Sequence, residues 1–427
     1  MSESIEAPAE LAVVGQATAS EVTPGAARGR ARISSIEDAA ERPDDCLIVD
    51  RYGAFLGRHS ERLKLTVKGE VVEERPLLGL EHVLVLAGGV SVSADAIRGC
   101  AERGIPISFV SRSGTPYAKL IAPELTGTVQ TRRQQLLAFE DERGVHLAKA
   151  FAVGKLQNQA TLLKYMAKYR QSAAPETYEM AREAAFRIEH LARRITEVSG
   201  ATLDPIRQDV MNLEARAARH YWEAARHLVQ LPAGVEWPGR ETRGATDLVN
   251  QCLNYGYGIL YAQVERAALL AGLDPYAGFL HEDRPGKPSL VLDLIEEFRP
   301  YAVDRCVFAL LNQRVQLNQD DHGRLDDATR TVLAKRVNER LEGEEPYEGR
   351  RRRLRTIIES VAFVSISGDD LTLAVAIAMT FGDLGRAFIA ATTKGGLQFL
   401  LQNRLDEDAH PQTHPLLQRI KGGVAGQ

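Results

Sequence analysis

Cysteine is scarce in this chain of 427 residues. The four cysteines stand far apart and form no Cys-x-x-Cys pair; they are Cys46, Cys100, Cys252 and Cys306. Such spacing indicates neither a disulfide framework nor a zinc knuckle. The N-terminus lacks a basic segment followed by an apolar core, so we expect no signal peptide. These features favour a protein of the reducing cytoplasm.

Long uninterrupted apolar runs are also lacking. The longest one near the C-terminus begins at Leu371, and Asp383 and Arg386 interrupt it. Charged side chains at these positions argue against a membrane span. We therefore predict a buried helix in this segment and no membrane partner.

Neither sign of charge dominates, because the formal net charge is only -4. Residues 1–45 hold nine acids and four bases, whereas residues 126–240 hold 17 bases and 13 acids. Without a general positive field, a nucleic-acid site has to be a local basic patch.

The patterns that are present divide the chain into four parts. Residues 1–45 lack periodicity, which predicts a disordered leader. Residues 46–125 predict a small β-rich domain, because segments such as 62–67 alternate with period two. Residues 126–366 contain long helix-period segments, and residues 367–427 form a C-terminal extension of unknown role. We therefore predict an α+β, multidomain fold, with the small N-terminal β-rich domain followed by a large all-helical domain.

The helical segments are predicted from their period and from the Gly and Pro residues between them. They span residues 136–170, 176–198, 205–229, 247–271, 326–341 and 350–364. In the β-rich part, His59 and His82 are interpreted as structural or surface groups and not as ligands.

A polar turn that runs directly into an apolar helix carries several acids. His281 lies in the turn, and Ser289 is the expected N-cap of the helix. Asp293 and Glu296 are three residues apart and share a face, which Glu297 borders. A carboxylate in apolar surroundings is costly unless a metal or a basic partner neutralises it. The segment is therefore the first place to expect a metal.

Two earlier helices carry polar groups where apolar ones are expected. Glu214 heads a face of small and aromatic residues. It is either a buried functional acid or a structural acid paired with Arg207 or Arg216. The next helix has a polar face formed by Asp247, Asn250 and Asn254. That face either forms a buried hydrogen-bond network or supports the His281 turn.

Glu214, His281 and Glu296, with Asp293 nearby, combine imidazole and carboxylate donors. Such a set suits Mg²⁺ or Mn²⁺ better than a closed zinc site. A divalent ion edged by basic side chains indicates phosphodiester chemistry. The candidate DNA or phosphate contacts are Arg240, Arg243, Lys287 and Arg299. For His281 alone, a structural role is the default.

Several runs of residues together resemble a known family. They are Leu213-Glu214-Ala with Ala217, Ala218 and Tyr221; Asp247-Leu-Val-Asn250 with Leu253-Asn254-Tyr255; and Gly278-Phe-Leu-His281, Lys287-Pro-Ser-Leu290, Asp293-Leu-Ile-Glu296, Phe298-Arg-Pro300 and Asp304. On these residues the chain resembles the CRISPR-associated integrases, endonuclease-like proteins that insert new spacers into CRISPR arrays. The resemblance covers roughly residues 46–360.

The resemblance implies a metal-dependent DNA endonuclease and integrase that uses Mg²⁺ or Mn²⁺. Its metal ligands would be Glu214, His281 and Glu296, with Asp293 as an additional acid. Its β-rich domain would mediate a homodimer, and two such dimers would flank a dimer of a small ferredoxin-like companion protein. The complex would carry a duplex spacer precursor whose 3′-hydroxyls attack the CRISPR repeat. A non-catalytic DNA scaffold and another metal-dependent phosphodiesterase are the alternatives.

Overall fold

The computed structural model describes residues 46–122, 129–242, 244–347 and 350–362, and the backbone of four strands between residues 365 and 402. The predicted leader, Arg243 and the end of the chain beyond residue 402 lie outside the described residues.

The β-rich part contains two four-stranded sheets and one helix. Its elements are β1 Cys46–Val49, β2 Phe55–His59, β3 Arg62–Val67, β4 Glu70–Pro76, β5 His82–Val85, β6 Ser91–Val92, α1 Ala94–Ala101, β7 Ile107–Val110 and β8 Pro116–Leu120. One sheet has the order β1-β5-β7-β8 and the other β4-β3-β2-β6. The predicted alternation in β3 is confirmed, because Leu63 and Leu65 are buried in the core between the sheets.

The rest of the described chain is mostly helical. Its helices are α2 Val129–Ala138, α3 Glu142–Ala167, α4 Pro175–Glu197, α5 Asp204–Leu228, α6 Leu248–Leu270, α7 Ser289–Arg299, α8 Arg305–Asn312, α9 Asp327–Glu342 and α10 Leu354–Ala362. A π-helical turn, Pro300–Asp304, joins α7 to α8. A β-rich part followed by a helical part confirms the predicted α+β fold class.

Several helix bounds follow from capping chemistry. Pro175 and Pro205 stand in the first turns of α4 and α5, where a missing N–H costs nothing. The Asp247 carboxylate caps α6 by accepting a hydrogen bond from the backbone N–H of Asn250, at 2.8 Å. Ser289, in contrast, is the first residue of α7 and not its cap. Its hydroxyl accepts a hydrogen bond from Gly278 N at 3.1 Å, which ties the preceding turn to the helix.

Two predicted helices have different limits in the structure. The segment predicted as one helix over 136–170 is divided into α2 and α3, because Asp141 caps α3 through the backbone N–H of Arg143 at 2.9 Å. The segment predicted over 350–364 begins as strand β10, Arg350–Arg353, which pairs with β9, Glu344–Tyr347. Helix α10 covers residues 354–362 of that segment.

The predicted buried helix from Leu371 is wrong. The chain there forms antiparallel strands, namely β11 Ser365–Ser367, β12 Asp370–Ile377, β13 Ala387–Thr393 and β14 Gly396–Gln402. Periodicity alone does not separate a short apolar strand from a buried helix, and the β-branched residues of β12 favour the strand. Within the described residues, no helix has the length and apolar character that spanning a membrane requires.

The β-rich part packs directly on helix α6. Cys46, Leu84 and Val110 belong to the same continuous core as the helices. The turn before β8 approaches α6 so closely that a Cβ on Gly258 would lie 1.7 Å from the carbonyl oxygen of Gly114. Gly114 itself has a φ of +82°. Two glycines thus allow backbone-to-backbone contact at this junction.

Candidate active site

Helices α3, α5 and α7 bring three charged side chains together. Lys155 of α3 forms ion pairs with Glu214 of α5 and, at 2.6 Å from Nζ to Oε2, with Glu296 of α7. The three side chains are mostly buried, with exposed fractions of 16%, 19% and 7%. Two carboxylates from separate helices therefore converge on one cation.

Arg299 completes the charge balance of this cluster by pairing with Glu296, one helical turn away. Burial acts to raise the pKa of Glu296, but Arg299 and Lys155 outweigh it and lower that pKa to about 2. Burial acts to lower the pKa of Lys155, but Glu296 and Glu214 outweigh it and raise that pKa above its ordinary value. Glu296 and Lys155 are therefore both ionised at neutral pH.

Asp293 is fully engaged in holding the His281 turn. Its carboxylate accepts hydrogen bonds from the backbone N–H groups of Phe279, Leu280 and His281 at 2.6, 2.9 and 2.9 Å. It also lies 2.7 Å from Nδ1 of the His281 ring. When the neutral ring donates its Nδ1–H to Asp293, Nε2 carries the lone pair. Asp293 thus orients the imidazole, and its role as an additional metal ligand stays a prediction.

Neighbouring residues Glu296 and Glu297 have opposite environments. Glu297 is 1% exposed, and its carboxylate has no hydrogen-bond partner within the described part of the chain. Burial raises the pKa of Glu297 to about 8. Glu296, in contrast, faces Lys155 and lies near enough to His281 for the imidazole to help lower its pKa. Of the two acids, Glu296 is the one placed beside the other candidate ligands.

A second buried acid lies beneath Arg299. Asp304 accepts hydrogen bonds from the hydroxyls of Tyr221, at 2.6 Å, and Tyr257. Burial raises the pKa of Asp304 to about 6, although the two tyrosine hydroxyls act against that shift. The guanidinium of Arg299 lies 4.8 Å from the centroid of the Tyr257 ring. This cluster supports the arginine that neutralises Glu296.

The polar face of α6 forms a hydrogen-bond network around Arg240. Asn254 Oδ1 accepts a bond from Arg240 at 2.7 Å, and Asn250 Oδ1 accepts one at 3.1 Å. The guanidinium also lies 5.3 Å from the centroid of the Tyr257 ring. The face therefore fixes the loop that carries Arg240, and it reaches the site through Tyr257. It does not contact the His281 turn in any hydrogen bond among the described residues.

The remaining predicted residues have different surroundings. Glu214 pairs with Lys155, and Arg207, one of its proposed structural partners, instead pairs with Asp204 at 3.0 Å. Lys287 is partly exposed on the loop after His281, with Nζ 3.4 Å from the carbonyl oxygen of Glu282. The contacts of Arg240, Arg243, Lys287 and Arg299 with phosphate stay predictions.

The donor set fits a divalent cation under one condition. Among the described residues, no three His, Cys, Asp or Glu side chains lie close enough together to hold a metal ion. Glu214 and Glu296 nevertheless already share a cation, the ammonium of Lys155. Carboxylate oxygens with one imidazole nitrogen form a suitable set for Mg²⁺ or Mn²⁺. The residues therefore fit such an ion if the Lys155 ammonium moves away from the carboxylates of Glu214 and Glu296.

Lys155 was not identified from the sequence. It stands in a long buried stretch of α3, between Gly154 and Leu156. A lysine flanked by buried residues is itself a signal, because an ammonium ion there needs a partner. The sequence does not tell which acid on another helix supplies that partner.

Comparison with known proteins gives consistent matches. A family model described as "CRISPR associated protein Cas1" matches residues 47–339. A CRISPR-associated endonuclease Cas1 from Archaeoglobus fulgidus is 36% identical over 315 residues, which make up 71% of this chain and 90% of that relative.

Two solved structures share the fold. A casposase bound to integration product aligns with a TM-score of 0.61 and 22% identity, covering 74% of this chain and 88% of the casposase. A chain of a Cas6-RT-Cas1–Cas2 complex aligns with a TM-score of 0.59 and 19% identity, covering 74% of this chain and 34% of the longer one.

Proposed function

The chain belongs to the Cas1 family of CRISPR-associated proteins, and from this premise we propose that it is a metal-dependent DNA endonuclease and integrase that inserts spacer DNA into a CRISPR array. The observation that carries the proposal is the convergence of Glu214 and Glu296 on one cation. The nearby His281 ring, fixed by Asp293, adds a nitrogen donor.

The proposed reaction is a transesterification in DNA. The 3′-oxygen of the incoming strand bonds to a phosphorus at the repeat end, and the bond from that phosphorus to the departing 3′-oxygen breaks. One proton passes overall from the attacking hydroxyl to the leaving oxygen. When bound, Mg²⁺ or Mn²⁺ would stabilise charge on the phosphate.

The protein's own side chains would hold and orient the reactants. Glu214, His281 and Glu296 would hold the ion, while Asp293 keeps the imidazole in place. The basic residues proposed to contact DNA phosphates are Arg240, Arg243, Lys287 and Arg299. Phosphate contacts of this kind position DNA without reading its sequence.

The substitution His281→Ala tests this function. We expect it to abolish Mn²⁺-dependent nicking and joining of DNA, because it removes the nitrogen donor, while the circular dichroism spectrum stays that of the parent. His59→Ala, at the exposed end of β2, is the matched control and should keep full activity. Unchanged turnover in His281→Ala would contradict the ligand assignment. Salt-dependent DNA binding without metal-dependent turnover in the parent would instead indicate a scaffold protein.

The proposed partners are DNA, a second copy of this chain and a small ferredoxin-like companion protein. Large apolar side chains are exposed in the β-rich part, which supports a protein interface there. They include Tyr52, Phe55, Val71 and Leu78. A chain of the complex whose name includes Cas1 and Cas2 shares this fold, which supports a partner protein in an assembly. Sedimentation equilibrium should give the mass of a dimer, and a monomer at all concentrations would contradict this part of the proposal.

A further inference from the structure

We propose that Lys155 is an exchangeable internal cation: it occupies the metal position between Glu214 and Glu296 and gives way to the divalent ion when that ion binds. The inference rests on the proposed function, because it concerns the same site. It assigns to Lys155 a positioning role that applies before and after metal binding.

The geometry of the carboxylates supports the exchange. Lys155 contacts Glu214 from one helix and Glu296 from another, and its Nζ lies 2.6 Å from Glu296 Oε2. A divalent ion held by both carboxylates would compete with Lys155 for their oxygens, because Mg²⁺ and Mn²⁺ take carboxylate oxygens as direct ligands. The ammonium and the ion would therefore exchange at that position. Lysine suits such a role, because its ammonium is a compact charge on a flexible stem.

The charge balance of the site explains why the exchange is useful. Without metal, the two positive charges of Lys155 and Arg299 match the two negative charges of Glu214 and Glu296. The buried acids are therefore neutralised, and the site can form without metal. When a divalent ion enters and Lys155 moves aside, the site gains two positive charges. A DNA phosphate and a developing oxyanion would neutralise them, with the displaced ammonium beside the phosphate.

The substitution Lys155→Met tests the exchange by calorimetric titration with Mn²⁺ in the absence of DNA. We expect the affinity for Mn²⁺ to rise by about tenfold or more, because the ion no longer competes with an ammonium. We also expect the metal-free variant to melt at a lower temperature than the metal-free parent. Mn²⁺ should raise the melting temperature of the variant by more than it raises that of the parent. At saturating Mn²⁺, DNA joining should become slower, because the displaced ammonium is missing. A purely structural lysine would not combine tighter metal binding with slower joining.

Lys164→Met is the matched control, because Lys164 lies on the same helix and pairs with Glu189 at the surface. It should leave metal affinity and joining unchanged. A measurement on the parent protein avoids any folding defect: amine-reactive labelling followed by mass spectrometry should show more modification of Lys155 with Mn²⁺ than without.

The possible failures are distinguishable. If the parent binds Mn²⁺ but Lys155→Met binds it equally or more weakly, and labelling of Lys155 does not change, the exchange is wrong while the metal site stands. If the parent binds no Mn²⁺, both the exchange and the proposed metal-dependent function fail.

Discussion

Asp293 and Glu296 lie one turn apart on α7, and their contacts separate two roles. Asp293 accepts three backbone N–H bonds and contacts the His281 ring, so its charge stabilises the turn that carries the histidine. Glu296 contacts two side-chain cations, Lys155 and Arg299, in its described ion pairs. Under the proposed function, a metal ion would replace an ammonium at Glu296, whereas at Asp293 it would have to replace backbone amides.

The two roles predict different consequences for Asp293→Asn and Glu296→Gln. Asp293→Asn loses a charged acceptor for several N–H groups, so we expect a loss of roughly 2–4 kcal/mol in the free energy of unfolding without metal. Urea unfolding in the absence of divalent ions measures it. Glu296→Gln also costs stability, because Lys155 and Arg299 lose a charged partner, but it should remove more of the Mn²⁺ affinity than Asp293→Asn does. An equal loss of Mn²⁺ affinity in the two variants would contradict the division of roles.

At the scale of elements, α6 is where the β-rich part and the site meet. Its Gly258 contacts the Gly114 turn of the β-rich part, and its Tyr257 contacts Asp304 beside the site. Adjacent residues of one helix therefore connect the two regions. Because the Gly258 contact is with backbone atoms, the helix and the turn cannot adjust by rotating a side chain.

This contact predicts that Gly258→Ala destabilises the protein even though alanine is the better helix former. The added Cβ would meet a backbone carbonyl at 1.7 Å, so the turn has to move. We expect a net loss of roughly 1–3 kcal/mol, measured by urea unfolding. Gly256→Ala is the matched control, because the three atoms nearest to its Cβ would all belong to the side chain of Val303, the closest being a methyl at 2.6 Å. A loss as large for Gly256→Ala as for Gly258→Ala would refute the backbone explanation.

Element bounds were predictable where local chemistry marks them. Helices α4 and α5 begin at Pro175 and Asp204, within one residue of prediction, because proline favours a first turn. The break before α3 was not predictable from periodicity, because the helical pattern of apolar residues continues across it. The break depends on the cap that Asp141 forms. Acids near one helix were also predictable at the site. Their pairing with Lys155 was not, because cross-helix neighbours depend on packing and not on spacing.

At the scale of the whole described molecule, a buried polar chain joins the β-rich part to the last helices. His82 of β5 lies 3.0 Å from Ser108 Oγ, and its Nδ1 lies 2.7 Å from Nε2 of Gln263 on α6. Arg355 of α10 donates to Gln263 in turn. The amide of Gln263 donates to Nδ1, so the imidazole has to be neutral for the chain to stay intact.

This series of hydrogen bonds around His82 predicts that the free energy of unfolding depends on pH. Burial first, and then the positive charges of Arg266 and Arg355, hold the pKa of His82 well below its ordinary value. His82 of the unfolded protein therefore binds a proton near pH 6.5, whereas the buried ring of the folded protein stays neutral there. The free energy of unfolding consequently falls as the pH drops from 7 to 5. For His82→Gln we expect the free energy of unfolding to fall less steeply with decreasing pH than in the parent, by up to about 1.4 kcal/mol per pH unit. Urea unfolding at pH 5, 6 and 7 measures this slope.

His59→Gln supplies the control for this slope, because His59 lies at the exposed end of β2. It should show the parent's slope. Parallel slopes for the parent and His82→Gln would mean that the buried imidazole does not govern the acid sensitivity. A shallower slope for His82→Gln alone would locate the acid sensitivity at the junction between the β-rich part and α6. Moderately acidic pH would then weaken the support of the site before Glu296, whose pKa is about 2, becomes protonated.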